Sequence, residues 1–373
     1  MLVFVAYYAG AVLLLRNVLI ALHVATLDVA QSTITVTPTT TDDRNQTKST
    51  SVHLHVRSVV ASSEVHTESP FASQQRSVES DSWYYSRREH KVNEYRHNTL
   101  LVPSGLCRRP DTFMLVLVHS SPTNAGRRAA IRVTWGDAVL RGTWPSNASA
   151  QQNASSPISR LCMAFVLGLH SDEAVNRAVR EEHANCNDIV QGDFIDHYHN
   201  MTLKSLLDLK VADERCPGVP YLLKSDDDMI INIPYLLDIL TTEPLKRSFM
   251  GPYNQGSRVH REGVWKLTLE EFPFSVYPPY ESGSAYVITG DLIHELYVTA
   301  EYVPHIFVDD VYITGILDRI LGVSHVRRAG FAYWGTREPT ACDVVRRKIV
   351  TGTKMHPQRL CALWNELKLN PTC

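Results

Sequence analysis

From residue 98 onward, short runs of consecutive apolar residues alternate with segments of helical period. Phe113–Val118 and Met163–Gly168 are unbroken apolar runs, which read as strands buried on both faces of a parallel sheet. Asp188–Phe194 and Tyr221–Lys224 add two more strands. Between them lie a helix start at 127–136, a charged helix at 171–185, and a helix at 201–212. The last has Leu203, Leu206, Leu207 and Val211 on one face. Strands that alternate with helices predict an α/β fold with a mostly parallel central sheet and right-handed crossovers. The second half is less regular. Residues 250–290 are rich in aromatics, Pro and Gly, with one strand at Ala285–Thr289 and Asp291 as the cap of the helix that follows. Further on, Ile313, Ile316, Leu317, Ile320 and Leu321 form a helical stripe, which puts Asp309 and Asp310 at a helix N-terminus.

The pattern changes before residue 98. Residues 1–27 are mostly apolar, interrupted by Arg16 and His23, and read as a membrane anchor or a secretory signal. Residues 31–97 are rich in Ser, Thr, Gln, His and charge, with no sustained period. The expected organisation is an anchor at 1–27, a flexible stem at 28–97 and a luminal catalytic domain at 98–373. Four Asn-x-Ser/Thr sequons, at Asn45, Asn147, Asn153 and Asn200, agree with a secretory route. Seven scattered cysteines allow up to three disulfides and exclude a zinc pattern. With 37 basic and 39 acidic residues, no basic field points to nucleic acid.

The chemistry gathers at Tyr221-Leu222-Leu223-Lys224-Ser225-Asp226-Asp227-Asp228-Met229. Three adjacent carboxylates between apolar flanks repel one another and call for a compensating charge. Their oxygens suit Mg²⁺ or Mn²⁺, and the end of a strand is where open α/β sheets bind ligands. A solvated acidic turn is the bland alternative. Asp309 and Asp310 are a second acidic motif. N-capping accounts for one such residue, and the helix dipole keeps a carboxylate ionised, as a general base requires.

Six ordered blocks resemble one family, the inverting β1,3-glycosyltransferases that include β1,3-galactosyltransferases and β1,3-N-acetylglucosaminyltransferases. They are RRAAIRVTW (127–135), FVLG (165–168), DIVQGDFIDHYHNMTLKS (188–205), YLLKSDDDMIIN (221–232), YPPYESGSAYVIT (277–289) and DDVYITGI (309–316). The resemblance covers about residues 98–373. It implies a GT-A-type, Rossmann-like nucleotide-sugar fold behind a type II Golgi membrane anchor, with a UDP-sugar donor, Mn²⁺, and a glycan acceptor on glycoprotein or glycolipid. Carried over by position, Asp228 would ligate the metal. Asp226, Asp227, Arg128 and Arg132 would lie on the donor side. Asp310 would be the catalytic base, and Glu281, Ser282 and Gly283 would face donor sugar and acceptor. The chain departs from the family at Ser284-Ala285-Tyr286, where relatives often carry a second Gly, and at Thr353, where relatives carry His.

The leading expectation is transfer of galactose from UDP-galactose in β1,3 linkage. Within the class, an N-acetylglucosaminyl- or N-acetylgalactosaminyltransferase is the rival. Outside it stand a non-catalytic carbohydrate-binding protein on the same fold and a metal-dependent phosphohydrolase, for which no second metal cluster is evident.

Overall fold

Met114–His119 (β2) is buried along its whole length, and its side chains alternate between two cores. Met114, Val116 and Val118 enter one, Leu115 and Leu117 the other. A strand of this kind must be central and covered by helices on both faces. The computed structural model, which describes residues 81–145 and 160–373, shows that arrangement. The anchor at 1–27, most of the stem, and the sequons Asn45, Asn147 and Asn153 lie outside the described residues.

Four parallel strands form the middle of an eight-stranded sheet: β2, Leu161–Leu169 (β3), Ile189–Ile195 (β4) and Tyr221–Asp226 (β5). Thr99–Leu101 (β1) pairs antiparallel with β4 at one edge. On the other side Ala285–Thr289 (β10) pairs antiparallel with β5, followed by Ser248–Met250 (β7) and Ser324–His325 (β11). The spatial order is β1-β4-β3-β2-β5-β10-β7-β11. From β2 the chain winds outward through β3 and β4, then returns to lay β5 on the opposite side of β2. That reversal is the topological switch point, the place where open α/β sheets put their ligand crevice, beyond the strand C-termini. Its register pairs His119 with Asp226, so both strands end at the same level.

One face of the sheet carries Ala125–Arg132 (α1), Trp135–Arg141 (α2), Glu173–Cys186 (α3), Ile233–Thr242 (α5) and Pro357–Lys368 (α10), whose apolar residues share one core. In α10 the buried residues Leu360, Leu363, Trp364 and Leu367 follow the i, i+3, i+4, i+7 spacing, with Pro357 in its first turn. The other face carries Met201–Arg215 (α4) and Ile293–Ala300 (α6). It also carries the helix that starts at Asp309–Val311 (α7) and runs through a π turn at Tyr312–Ile316 into Leu317–Leu321 (α8). Two-residue strands at Tyr253–Asn254 (β8) and Tyr280–Glu281 (β9) pair beside the crevice.

Two expectations change, and the cysteine pairing is resolved. Residues 81–97, read as stem, belong to the folded unit. Tyr84 is buried against Phe272 and Phe274, and the backbone of Arg88, Val92 and Asn93 bonds to residues 301–302. The aromatics in Trp83-Tyr84-Tyr85 supply the apolar surface that the rest of the segment lacks. Asp291 does not cap its helix, because its carboxylate accepts from the Arg247 backbone N–H at 3.1 Å. The cysteines form two disulfides, Cys107–Cys216 and Cys342–Cys373, and leave Cys162, Cys186 and Cys361 free. Among the described residues no helix is long and apolar enough to cross a membrane.

Candidate active site

The Asp triplet closes β5 at the switch point, and its three carboxylates do three different things. Asp227 is a clasp. Its Oδ2 accepts from Ser120 Oγ at 2.7 Å and Asn124 Nδ2 at 2.9 Å, and its Oδ1 from Arg127 Nη1 at 3.2 Å. These bonds lock the loop after β2 to the loop after β5. Asp226 accepts from Lys224 Nζ at 2.6 Å, while its backbone N–H donates to Ser284 O at 3.0 Å. Partial desolvation and the nearby charges of Asp228 and Asp309 push its carboxyl above the usual range, with Lys224 opposing, while 39% of the side chain stays exposed. Asp228 keeps an open carboxylate, 37% exposed, with Arg127 at 3.7 Å as its charged neighbour. Its backbone carbonyl accepts from Met355 N, which ties the C-terminal segment to the site. Trp135 supports the turn from behind, donating from its indole N–H to Met229 O at 3.0 Å.

The second acidic motif splits as well. Asp309 turns inward, buried, and accepts from Ser205 Oγ of α4 at 2.6 Å. Asp310 turns toward the loop after β9 and accepts from the Gly283 N–H and its own neighbour Val311 N–H, both at 2.8 Å. Burial raises the Asp310 carboxyl above its usual range, and repulsion from Asp309 adds to it; the two N–H donors work against both. A carboxylate so raised binds a proton more readily, which suits a base working near neutral pH. The approach is close: a Cβ on Gly283 would lie 3.3 Å from Asp310 Oδ2 and would press on that carboxylate.

Loop 281–284 thus touches both motifs. Ser284 bonds to Asp226 and Gly283 to Asp310. Lys224 joins the two halves, because its ammonium bonds to both Asp226 and the Gly283 carbonyl. Burial penalises that charge, but Asp226 and Asp309 outweigh the penalty and hold Lys224 above the usual lysine range.

Other candidate residues take supporting positions. Glu281 is fully buried behind the loop, its Oε1 2.9 Å from His325 Nδ1, while His325 Nε2 lies 3.1 Å from Asp318 Oδ2. Burial lowers the His325 pKa, but hydrogen bonds and charge from Asp318 and Glu281 overcome it and push it up to about 9. Ser282 donates its N–H to Pro252 O at 3.0 Å. Arg128 is fully buried: it grips Glu182 with two bonds and donates to the carbonyls of Ser121 and Pro122. Arg132 forms a two-pronged pair with Asp188 at 2.7 and 2.9 Å and reaches Glu182 at 2.7 Å. Both arginines therefore brace the crevice loop from behind, and the arginine beside the acidic motif is Arg127. Arg128 and Arg132 are one helical turn apart and share a face, whereas Arg127 points about 100° away from Arg128; that spacing was the available signal. Asn200 donates its side-chain amide to Ile195 O at 2.8 Å, and Thr202 of the same sequon is buried on Ile306 O.

A further pair had no sequence signal. His119 Nε2 lies 2.6 Å from Asp208 Oδ2, both buried at the end of β2. Burial drives His119 down and Asp208 up, so each favours its neutral form. Among the described residues no three His, Cys, Asp or Glu side chains form a cation cage. Within the triplet Asp228 offers the carboxylate least engaged by protein donors, and Asp226, 39% exposed with its Oδ1 on Lys224, lies beside it. That fits a divalent ion held by one protein oxygen and completed by substrate phosphates, the usual manner for Mg²⁺ and Mn²⁺.

A galactosyltransferase family model matches residues 126–329, which include both acidic motifs and loop 281–284. The chain belongs to the galactosyltransferase family. Human β-1,3-galactosyltransferase 1 is 28% identical over 285 residues, 75% of this chain and 81% of that protein. The β-1,3-galactosyltransferase 5 of Pan paniscus is 30% identical over 276 residues, 73% of this chain and 86% of that protein. The solved structure of mouse xyloside xylosyltransferase 1 aligns at TM-score 0.29 and 14% identity over 59% of this chain and 85% of that one, a likeness too slight to bear on the fold.

Proposed function

We propose that this protein is an inverting β1,3-galactosyltransferase that moves galactose from UDP-galactose to a glycan on glycoprotein or glycolipid. The observation that carries the reading is loop 281–284, which hydrogen-bonds to the Asp triplet through Ser284 and to Asp310 through Gly283. One short loop thereby sets the donor end of the site against the base. Asp310 takes the proton of the acceptor hydroxyl as its oxygen attacks the anomeric carbon. The leaving UDP departs on the opposite face, so an α-linked donor yields a β-linked product. Asp228 would hold Mn²⁺ or Mg²⁺, whose charge would offset that developing on the diphosphate. Arg127, beside Asp228, adds a fixed cation there. Lys224 and the Ser120–Asp227–Asn124 clasp keep the site rigid, so that positioning costs little on binding. Two disulfides support an oxidising compartment, and the apolar stretch 1–27 supports a type II Golgi anchor.

The test is a donor screen with the full chain and Mn²⁺, comparing UDP-galactose, UDP-N-acetylglucosamine and UDP-N-acetylgalactosamine. UDP-galactose should be the donor consumed, with EDTA abolishing turnover. Asp310→Asn should lower turnover by about 10²–10⁴-fold and leave UDP affinity unchanged. Transfer only from an N-acetylated donor, or an Asp310→Asn variant that keeps full turnover, would overturn the reading.

A further inference from the structure

A cavity of about 610 Å³ opens beside loop 281–284, outside the contacts assigned to the donor and the base. One wall is Gly251–Asn254 and the other Arg327–Phe331, with Tyr333 at the rim. Both walls are tied to the catalytic loop. Tyr253 pairs with Glu281 across β8 and β9, the Ser282 N–H donates to Pro252 O, and Ser284 Oγ donates to Ala332 O at 2.6 Å. No residue of the Asp triplet or of the loop after β2 lines it. Its volume is in the usual range for a small-ligand site, about 300–1,000 Å³, and has room for a sugar residue or two.

The lining has a definite chemistry. Every charged side chain on it is an arginine. Arg328 is neutralised by Glu243. Arg327 has no carboxylate partner among the described residues; its guanidinium lies 4.0 Å from the centre of the Tyr253 ring, and one nitrogen donates to Gln255 Oε1 at 3.2 Å. Stacking and that bond fix the plane of the guanidinium while other donors stay free. A planar, fixed guanidinium is the side chain best matched to a carboxylate, sulfate or phosphate. The rim adds the aromatic ring of Tyr333, 48% exposed. The C–H face of a pyranose is a natural partner for such an exposed aromatic face. The buried carboxylate nearest the cavity, Glu281 behind Gly251, is held by His325 and does not line it.

We infer that this cavity is an acceptor subsite for a sugar residue bearing an anionic group. The charged group sits on Arg327 and the ring against Tyr333. The inference rests on the glycosyl-transfer reading for its role, and it adds that the acceptor glycan is acidic.

Direct binding to the full chain, without donor, tests it independently of turnover. The probes are a neutral disaccharide and the same disaccharide carrying a uronate carboxylate, a sulfate ester or a phosphate, titrated by calorimetry. At least one anionic probe should bind about tenfold or more tightly than the neutral one, as a charge-assisted hydrogen bond implies. Arg327→Gln should bring that probe to the neutral level and abolish the salt dependence of its binding. Tyr333→Ala should weaken neutral and anionic probes alike. In transfer assays, Arg327→Gln should raise KM for the anionic acceptor without changing kcat, and leave the neutral acceptor unaffected. Equal affinity for all four probes, or anionic binding unchanged in Arg327→Gln, would overturn the subsite. If sugar is transferred with no preference for acidic acceptors, the subsite falls and the transferase reading stands. If Arg327-dependent binding occurs but no nucleotide sugar is consumed, the reverse holds.

Discussion

Replacing His325 should remove a pH-dependent share of the protein's stability. His325 sits between two carboxylates, Glu281 and Asp318, and only 11% of its side chain is exposed. Its folded pKa rises from 6.5 to about 9, because hydrogen bonds and charge from the two acids exceed the cost of burying the imidazolium. A tenfold change in proton affinity is worth about 1.4 kcal/mol, so the protonated histidine contributes about 3 kcal/mol. The folded form binds the proton more tightly. The stabilisation is therefore whole below pH 6.5 and is lost as pH rises through 9. Removing one member of a buried ionic group costs about 3–5 kcal/mol by an independent rule, which agrees. The assay is urea unfolding of the wild type and His325→Gln at half-unit steps from pH 6 to 10. Titrations of groups that do not contact His325 cancel in the difference between the two proteins. The gap should be about 3 kcal/mol at pH 6 and close toward pH 10. A gap that stays constant across this range would refute the ionic account and leave only lost packing against Phe249 and Tyr253.

Two further substitutions probe the ties around the crevice. Lys224→Met leaves Asp226 and the Gly283 carbonyl without their cation and should cost about 3–5 kcal/mol in unfolding free energy, together with most of the turnover; a stable, fully active variant would show that the two acidic motifs do not depend on it. Gly290→Ala would place a Cβ 1.8 Å from Val219 O, against backbone that cannot swing aside, and should lower stability by ~3 kcal/mol, read as a fall in Tm.

What the sequence shows and what it hides follow from how far each signal reaches along the chain. The central strands were legible because burial on both faces leaves an unbroken apolar run, and β2 is buried from Met114 to His119. The acidic motifs were legible because charge inside an apolar run has no structural use unless something offsets it. Cysteine pairing was not, because Cys107, Cys162 and Cys216 converge: Cys107 bonds to Cys216 while the Cys162 sulfur lies 3.1 Å from Cys107 Sγ, and no spacing chooses between them. The supporting residues were hidden for the same reason. Glu281 and His325 are 44 residues apart, and His119 and Asp208 are 89 apart. A carboxylate in a short Ser- and Gly-containing loop reads as a group facing substrate, but Glu281 is fully buried and holds the loop from behind. The order of contacts gives that position its meaning. His325 fixes Glu281, the β9 strand that carries Glu281 sets Ser282 and Gly283, and Gly283 orients Asp310. A carboxylate held at the end of such a chain is sensitive to changes well behind the site. Substitutions at His325 or Asp318 should therefore reach turnover without touching either substrate.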